Sequence, residues 1–218
     1  MGTIGTINPT IANEIKAIFE KRCVKLLEWA CRTLKGQKSI DVNWGEENIT
    51  ANIFDLIREN QETIDYNIHP ESEYPLYNQD ILNNKKMAKS APRIDLVFQH
   101  NWHGQRFSFF VEAKNLIEMD VSKKGNKRKT KAITVQNRYI ETGINHYVEG
   151  YYPLGCILGY VLMGSISGTS EAINSILEKN GRHDERLQYH SGCEPWIRYE
   201  SHHPSLKKTI NHYFFNFK

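Results

Sequence analysis

The chain has 218 residues, of which 39% are hydrophobic and 24% are charged, and its formal net charge is +3. This length and composition are typical of one domain with a sizeable core, and the charge is too small to indicate a partner by itself. No apolar run approaches the roughly 18 to 20 residues of a membrane span, so no membrane association is expected. The four cysteines form no C-x-x-C pair and no signal peptide is recognised, which predicts a cytoplasmic protein.

The apolar pattern of the first part of the chain predicts two helices and a strand. Thr10 can cap a helix over residues 10–35, in which apolar side chains recur near a period of 3.6, and a second helix is predicted over residues 45–60. Residues 62–69 alternate between apolar and polar, which predicts a strand. Residues 70–92 contain three prolines and read as a loop that is too long for a plain connection.

The segment that follows, RIDLVFQHNWHGQRFSFFVEAKN, reads as two apolar strands joined by a short polar turn. If His103 and Gly104 form a two-residue turn, Asp95 in the first strand lies across from Glu112 in the second. Side chains alternate along a strand, so Lys114 shares the face of Glu112. The simplest register therefore gathers two carboxylates and one ammonium group into a cluster.

Two carboxylates close together in an apolar setting repel each other, and one of them would be driven to take up a proton unless a cation joined them. Oxygen ligands suit Mg²⁺ or Mn²⁺ rather than zinc. A lysine beside such a metal can orient or help to deprotonate a water that attacks phosphorus. The alternative is that Asp95 and Glu112 form ordinary ion pairs with Arg93 and Lys114 on a solvated face of the sheet.

The rest of the chain predicts a basic loop, a long helix, a buried strand, a short helix and two further strands. The corresponding ranges are residues 115–131, 132–151, 156–164, 169–179, 196–202 and 212–217. Helices that flank a mixed sheet are the natural packing of this order, so the predicted fold class is α/β. Because the sequence contains no internal repeat and no low-complexity linker, residues 1–218 are expected to form a single domain.

The motif P-R-I-D ending at Asp95, the apolar strand after it, and the motif E-A-K from Glu112 to Lys114 resemble the PD-(D/E)xK nuclease superfamily. In that family the proline directly precedes the aspartate, whereas two residues intervene here. The resemblance implies a restriction-endonuclease-like αβββαβ core over about residues 40–164. The helix over residues 10–35 would precede this core, and residues 165–218 would form a C-terminal extension.

The resemblance also implies a role for each matching residue. Asp95 and Glu112 would be ligands of a Mg²⁺ or Mn²⁺ ion, and the backbone carbonyl of Ala113 would add a third. Lys114 would position the attacking water or stabilise the transition state. These roles belong to the family, and the sequence pattern shows only that residues of the right types stand in the right order.

Many members of the family carry a further glutamate on the helix before the sheet. Glu46 and Glu47 are both available here. Glu46 lies on the same helical stripe as Ile49 and Ile53, which should face the sheet, so Glu46 is the preferred metal ligand. The alternative is that both are first-turn acids favoured by the helix dipole.

Contacts with nucleic acid are expected from the basic loop and from the helix after it. The loop emerges directly behind Lys114, where basic side chains can neutralise phosphates, although such a charge run is otherwise a solvated segment. On the helix, Gln136 is preferred over Asn145 and His146, and a solvated helix face is the alternative. The predicted contacts are Lys123, Lys124, Lys127, Arg128, Lys129, Lys131 and Gln136.

The expected function is therefore that of a Mg²⁺- or Mn²⁺-dependent endonuclease acting on double-stranded DNA. By analogy with the family it would work as a homodimer in restriction or antiviral defence. One alternative is a nucleic-acid-binding or assembly subunit that keeps the fold without catalysis. A sugar- or nucleotide-modifying enzyme lacks support because no glycine-rich phosphate loop is present. A zinc site in the C-terminal part is conceivable but lacks paired ligand spacing; its candidate ligands are His183, His190, Cys193, His202, His203 and His212.

Overall fold

The computed structural model of the protein describes residues 8–77, 79–125, 128–153, 155–204 and 207–218. The helices are α1 (Pro9–Gln37), α2 (Glu46–Glu59), α3 (Gln61–Asp65), α4 (Gln79–Leu82), α5 (Ala132–Arg138), α6 (Asn145–Val148) and α7 (Ile166–Lys179). A π-helical segment, Tyr139–Ile144, joins α5 to α6, and 3-10 turns lie at Ala88–Ser90 and His183–Glu185. The strands are β1 (His69–Pro75), β2 (Arg93–Trp102), β3 (Gln105–Ile117), β4 (Cys156–Met163), β5 (Gln188–Cys193), β6 (Trp196–His203) and β7 (Lys208–Asn216).

Within the described part of the chain, seven strands form one mixed sheet in the order β1-β2-β3-β4-β7-β6-β5. The pairs β3–β4 and β4–β7 are parallel, and the other pairs are antiparallel. The α/β class predicted from the sequence is confirmed. Strands β5, β6 and β7 continue this sheet, so the segment predicted as a C-terminal extension contributes to the same structure as the predicted core. No helix among the described residues combines the length and apolar content that crossing a membrane requires.

The first helix begins one residue earlier than predicted. Asn8 Oδ1 accepts a hydrogen bond from the N–H of Thr10 at 2.9 Å, so Asn8 and not Thr10 caps α1, and Pro9 occupies the first helical turn. The predicted amphipathic stripe is confirmed from Phe19 onward, with Cys23 and Cys31 fully buried, whereas Ile18, which the periodicity also placed on it, is 53% exposed. The buried side chains of α1 are Phe19, Cys23, Leu26, Leu27, Ala30, Cys31 and Leu34.

The prediction of a strand over residues 62–69 is wrong, because residues 61–65 form the short helix α3. Asn60 ends α2 and at once caps α3, because its side chain accepts from the N–H of Glu62 at 2.8 Å. The alternation in the sequence does not correspond to burial, since Ile64 is 64% exposed. The strand lies later, at β1, which carries two prolines and forms an edge of the sheet, where proline is tolerated. Part of the predicted loop 70–92 is therefore sheet.

The hairpin of β2 and β3 has the predicted register. His103 and Gly104 form the turn with φ values of 46° and 78°, the positive values that a tight two-residue hairpin requires. Successive pairs run from Trp102 opposite Gln105 to Leu96 opposite Val111. The ladder ends at that last pair, one position before the two acids, and this separation of the strands shapes the candidate site.

The long helix predicted over residues 132–151 is interrupted by the π-helical segment. A Cβ atom built on Gly143 would lie 3.9 Å from Lys114 Cγ and 3.6 Å from Ile157 Cδ1, which are ordinary contact distances. The wide helical turn therefore lies beside the lysine side chain with room for a methyl group at position 143. Single π-helical turns inside α-helices occur frequently at functional sites.

Candidate functional site

The backbone pairing of the two hairpin strands ends next to Asp95, whose side chain bonds to the neighbouring strand instead. Asp95 Oδ2 accepts a hydrogen bond from the backbone N–H of Ala113 at 2.6 Å. A carboxylate thus satisfies a main-chain donor beyond Leu96 and Val111, the last paired residues. This contact holds the Asp95 carboxylate between the strands, in a position set by the backbone of β3.

Lys114 lies among three oxygen acceptors. Its Nζ atom donates to Glu112 Oε1, to the carbonyl oxygen of Ala113 at 3.0 Å, and to Glu46 Oε1 at 3.5 Å. Glu112 and Lys114 are only 4% and 5% exposed. The alternative considered from the sequence was that these residues form ion pairs on a solvated face of the sheet. Glu112 and Lys114 do form an ion pair, but the pair is buried and not solvated.

The structure distinguishes Glu46 from Glu47. Glu46 is the first residue of α2, and its Oε2 atom accepts from the N–H of Asn115 at 2.8 Å while its other oxygen faces Lys114. The side chain of Asn115 in turn donates to the carbonyl of Trp44 at 3.0 Å, which ties the start of α2 to β3. Glu47 is exposed, lines a groove that also reaches Asp95, and makes no described contact with Lys114. Glu46, the preferred residue, is the one that joins the cluster.

Burial and mutual repulsion change the acidity of this cluster. Burial raises the pKa of Asp95 to about 6, although Lys114 and the N–H of Ala113 oppose the change. Burial, and then the charge of Asp95, raises the pKa of Glu112 to about 8 despite the contact with Lys114. Burial alone would lower the pKa of Lys114, but the charges of Glu112, Glu46 and Asp95 outweigh it and raise that pKa. The cluster therefore has more negative charge than one ammonium group can balance.

One oxygen of the cluster has no partner. Glu112 Oε2 is buried and makes no hydrogen bond within the described residues, although the hydroxyl of Tyr152 lies near enough to this carboxylate to interact with it. A buried carboxylate oxygen without a donor is costly unless a proton or a cation satisfies it. As the side chains stand, no group of three or more His, Cys, Asp or Glu residues in the described chain is arranged to hold a metal. The ammonium group of Lys114 contacts Glu112 and Glu46, and the N–H of Ala113 contacts Asp95.

Two aromatic side chains, His146 of α6 and Tyr152 after it, lie close to the cluster. The hydroxyl of Tyr152 donates to the carbonyl of Arg93 at 3.3 Å, and burial and the charge of Glu112 raise its pKa. His146 stacks edge-on against Tyr152 at 5.0 Å between ring centroids. Burial and the charge of Lys114 lower the pKa of His146, so this ring is neutral at pH 7. Sequence reasoning considered His146 but missed Tyr152, for which the only signal was the run of aromatic residues after the helix.

A groove of about 470 Å³ leads along α2 to Asp95. Its lining includes Glu47, Asp55 and Glu73, so it is acidic. A groove of this charge attracts cations and repels a phosphate backbone. It offers a route by which a cation reaches Asp95, and phosphates must approach the cluster from another side.

The basic loop is fastened at its base to the start of α2. Val121 and Thr130 exchange two backbone hydrogen bonds of 2.8 and 3.0 Å, which close the loop. The N–H of Lys124 donates to Asn43 Oδ1 at 2.7 Å, close in sequence to Glu46. Lys123 is half-buried, and the other described basic residues of the loop are exposed: Lys124, Arg128, Lys129 and Lys131. The predicted contact at Lys127 lies outside the described residues.

Gln136 does not occupy a position that suits contact with nucleic acid. It is 3% exposed, and its Nε2 atom donates to the carbonyl of Ile117 at 3.1 Å. The amide satisfies the backbone of β3 at a bulge after Leu116. The predicted contact of Gln136 with nucleic acid is therefore corrected: its side chain supports the backbone of β3. Asn145, the weaker candidate, accepts from the guanidinium of Arg182 at 2.9 Å.

The histidines predicted as weak zinc candidates include two that belong to a buried chain of hydrogen bonds. Ser201 Oγ lies 2.7 Å from His203 Nε2 and 2.7 Å from His212 Nε2. The chain continues from His212 to the Tyr139 hydroxyl at 2.6 Å, and the Nδ1 atom of His203 lies 2.7 Å from Glu185 Oε2 without hydrogen-bond geometry. The order serine, histidine, glutamate is that of a hydrolase triad, but Ser201 is 0% exposed, so no substrate reaches it. Burial lowers the pKa of His212 to about 3.

These contacts define the candidate site as Asp95, Glu112, Lys114 and Glu46 with the carbonyl of Ala113, with Tyr152 and His146 beside it. Comparison of the chain with protein-family models, with curated proteins and with solved structures finds no match, so its function has to be argued from this site.

Proposed function

We propose that the protein is a metal-dependent nuclease of the PD-(D/E)xK type, which hydrolyses phosphodiester bonds of DNA. The observation that carries the proposal is the convergence of two carboxylates, Glu112 and Glu46, and one backbone carbonyl on the ammonium group of Lys114. A third carboxylate, Asp95, is held beside them by the N–H of Ala113, at the separation of β2 and β3. A purely structural cluster would pair its charges, whereas this one keeps a buried carboxylate oxygen without a described donor.

The donor set fits Mg²⁺ or Mn²⁺. All of its members are oxygens, which these ions prefer, and the unpartnered Glu112 Oε2 needs a cation or a proton. Asp95, Glu112, Glu46 and the carbonyl of Ala113 would hold the ion. When bound, it would supply Lewis acidity and a water of lowered pKa. Because Lys114 now contacts three of these groups, binding requires its ammonium group to withdraw from them.

The chain's own residues would then have distinct tasks. Lys114 is held at a pKa above its ordinary value, so it remains a cation and can donate hydrogen bonds to a phosphate oxygen or orient a water. Glu112 has to release a proton before it can act as a ligand, because its pKa is about 8. Tyr152 and His146 lie beside the cluster, and the burial of Glu112 and Lys114 strengthens electrostatic interactions inside it.

The arrangement of secondary structure supports the same proposal. Helix α2, strands β1 to β3, the segment from α5 to α6, and strand β4 follow one another in the αβββαβ order of the restriction-endonuclease-like core. Within the sheet, β1 to β4 are neighbours and β4 runs parallel to β3. The basic loop adds exposed charges for sequence-independent binding of phosphates, next to the start of α2. Cutting both strands of a duplex would require a second copy of the site, as in a homodimer.

The proposal predicts metal-dependent cutting that depends on Asp95. Wild-type protein is incubated with plasmid DNA in Mg²⁺, Mn²⁺ or EDTA, beside Asp95→Asn, which keeps the size of the side chain and removes its charge. We expect cutting by the wild type only with a divalent metal, and a loss of at least about 10²-fold in the variant. Asp55, which is exposed and forms an ion pair with Arg58, provides the matched control Asp55→Asn. Cutting by Asp95→Asn at the wild-type rate would contradict the assignment.

A nucleic-acid-binding or assembly subunit without catalysis is the second candidate. One observation favours it: Lys114 already contacts Glu112, Glu46 and Ala113, so these groups are partly neutralised without a metal. In such a protein the cluster would hold β2, β3 and α2 together, and the basic loop would still bind phosphates.

Titration calorimetry with Mn²⁺ separates the two candidates. A nuclease should bind Mn²⁺ with a heat that Glu46→Gln weakens by about tenfold or more in affinity, because an oxygen ligand of the ion loses its charge. Glu47→Gln is the matched control, since Glu47 is the next residue and is exposed. No Mn²⁺ heat in the wild type, or an equal effect of both substitutions, would favour the non-catalytic candidate.

A further inference from the structure

A cleft of about 920 Å³ lies between the end of β1 and the segment that follows α6. Its lining is unusually rich in aromatic side chains, with Tyr74, Tyr77, Phe110, Tyr147, Tyr151 and Tyr152 contributing. We call this cleft the tyrosine cleft. Its volume is in the range of pockets that hold organic ligands.

Two of the rings are presented to the outside, one from each wall. Tyr77 follows β1 and is 53% exposed, and Tyr151 follows α6 and is 57% exposed. The rings at the rear are held in place, since the hydroxyl of Tyr147 donates to the carbonyl of Cys156 at 2.9 Å and that of Tyr152 to the carbonyl of Arg93. Exposed single tyrosines are ordinary, but exposed rings over a rigid aromatic floor form a surface for stacking.

The tyrosine cleft adjoins the candidate site through two of its lining residues, Phe110 and Tyr152, although the carboxylates of the site are not part of its lining. Phe110 precedes Glu112 by two residues on β3 and so shares its face of the strand. Tyr152, which lines the cleft, is close enough to Glu112 for that carboxylate to raise its pKa, after burial. A chain of nucleotides with one phosphate at the carboxylates therefore has its neighbouring base within reach of these rings.

The charge of the cleft indicates which part of a nucleotide it suits. Glu149 and Lys208 are the charged residues among its described lining, so the two charges cancel. A nearly neutral aromatic surface suits bases rather than phosphates, whereas the groove along α2 is acidic and the basic loop is exposed for phosphates. A base inside a duplex has both faces covered by its neighbours, so only an unpaired or flipped base can stack on tyrosine.

We infer that the tyrosine cleft binds unpaired nucleobases next to the phosphate at the carboxylate cluster, so that the substrate is nucleic acid with a single-stranded stretch. The inference rests on the proposed function for the position of that phosphate. It identifies Tyr77 and Tyr151 as binding residues. It also implies that the protein prefers a nucleic acid with an end, gap or bubble to an uninterrupted duplex.

The test measures binding in EDTA, where no cutting occurs. A single-stranded oligonucleotide carrying one 2-aminopurine is titrated with the wild type and with the double variant Tyr77→Ala/Tyr151→Ala. We expect the wild type to change the 2-aminopurine fluorescence and to prefer this strand over its duplex. The double variant should bind the single strand about tenfold more weakly or worse, with little change for the duplex, because base stacking on aromatic rings is lost.

Two controls distinguish stacking from general damage. Tyr77→Phe/Tyr151→Phe keeps both rings and should retain wild-type affinity, and Tyr189→Ala removes a tyrosine that is 63% exposed on β5 and should change nothing. Equal binding of single strand by the wild type and the double alanine variant would overturn the inference. Cutting of the same oligonucleotides with Mn²⁺ is scored separately: its absence, with tyrosine-dependent binding intact, would overturn the proposed function and leave the cleft as a binding site.

Discussion

Replacement of Lys114 by methionine is expected to lower the rate of Mn²⁺-dependent DNA cutting by about 10²-fold or more. Methionine keeps most of the length of the buried stem, which packs near Gly143, but removes the ammonium group that contacts the oxygens of the cluster. A preorganised cation in a buried site stabilises developing negative charge far better than one in water, and its loss typically costs two or more orders of magnitude. Single-turnover cleavage rates at saturating Mn²⁺ provide the measurement.

The matched control for this prediction is Lys124→Met. Lys124 is exposed on the basic loop, and its described hydrogen bond to Asn43 is made by the backbone, so the substitution removes charge without changing the loop anchor. We expect weaker DNA binding at low salt and a cutting rate close to that of the wild type once DNA is saturating. If Lys114→Met cuts as fast as Lys124→Met, Lys114 has no role in the chemistry.

Stability in EDTA is expected to fall as the pH rises from about 5 to 8, and Glu112 should cause most of the fall. An ordinary glutamate loses its proton near pH 4.5, whereas Glu112 in the folded protein holds it to about 8. Between these values the folded state binds more protons than the unfolded state, so the free energy of unfolding decreases with pH, here by a few kcal/mol. Asp95, whose pKa is raised to about 6, adds to the lower part of this window.

Urea unfolding at several pH values, with wild type and Glu112→Gln compared, measures this effect. Burial lowers the pKa values of His203 and His212, so these two groups make the stability rise with pH below about pH 6.5. Because both proteins contain these histidines, the difference between their stabilities isolates the contribution of Glu112. Glu112→Gln should become the more stable protein at pH 8, and Glu47→Gln should follow the wild type. Parallel curves for the wild type and Glu112→Gln from pH 5 to 8 would contradict the prediction.

The same linkage predicts how the metal acts. Because Glu112 and Asp95 must lose their protons to serve as ligands, Mn²⁺ affinity should rise from pH 6 to 8, the interval in which the pKa values of about 6 and about 8 lie. A bound cation stabilises only the folded state, so added Mn²⁺ should restore the stability that is lost at pH 8.

Local rules were sufficient for the hairpin and for several helices and strands. The two-residue turn at His103 and Gly104 specified the register, because the length of a hairpin turn fixes which residues of the two strands face each other. Local rules failed over residues 62–69, where Asn60 caps a short helix and this capping outweighs an apparent alternation. Strand β5 was missed because all of its residues are exposed and it has no apolar face to reveal it.

The amino-acid sequence by itself determined that Asp95, Glu112 and Lys114 stand near one another, since a hairpin and the alternation of side chains are local properties. Only the tertiary structure decided that Glu46 rather than Glu47 joins them, that Gln136 is occupied by the backbone of β3, and that tyrosines from two distant segments share one cleft. The reason is physical: burial, pKa values and the pairing of distant segments depend on which surfaces pack together, and a local pattern does not contain that packing.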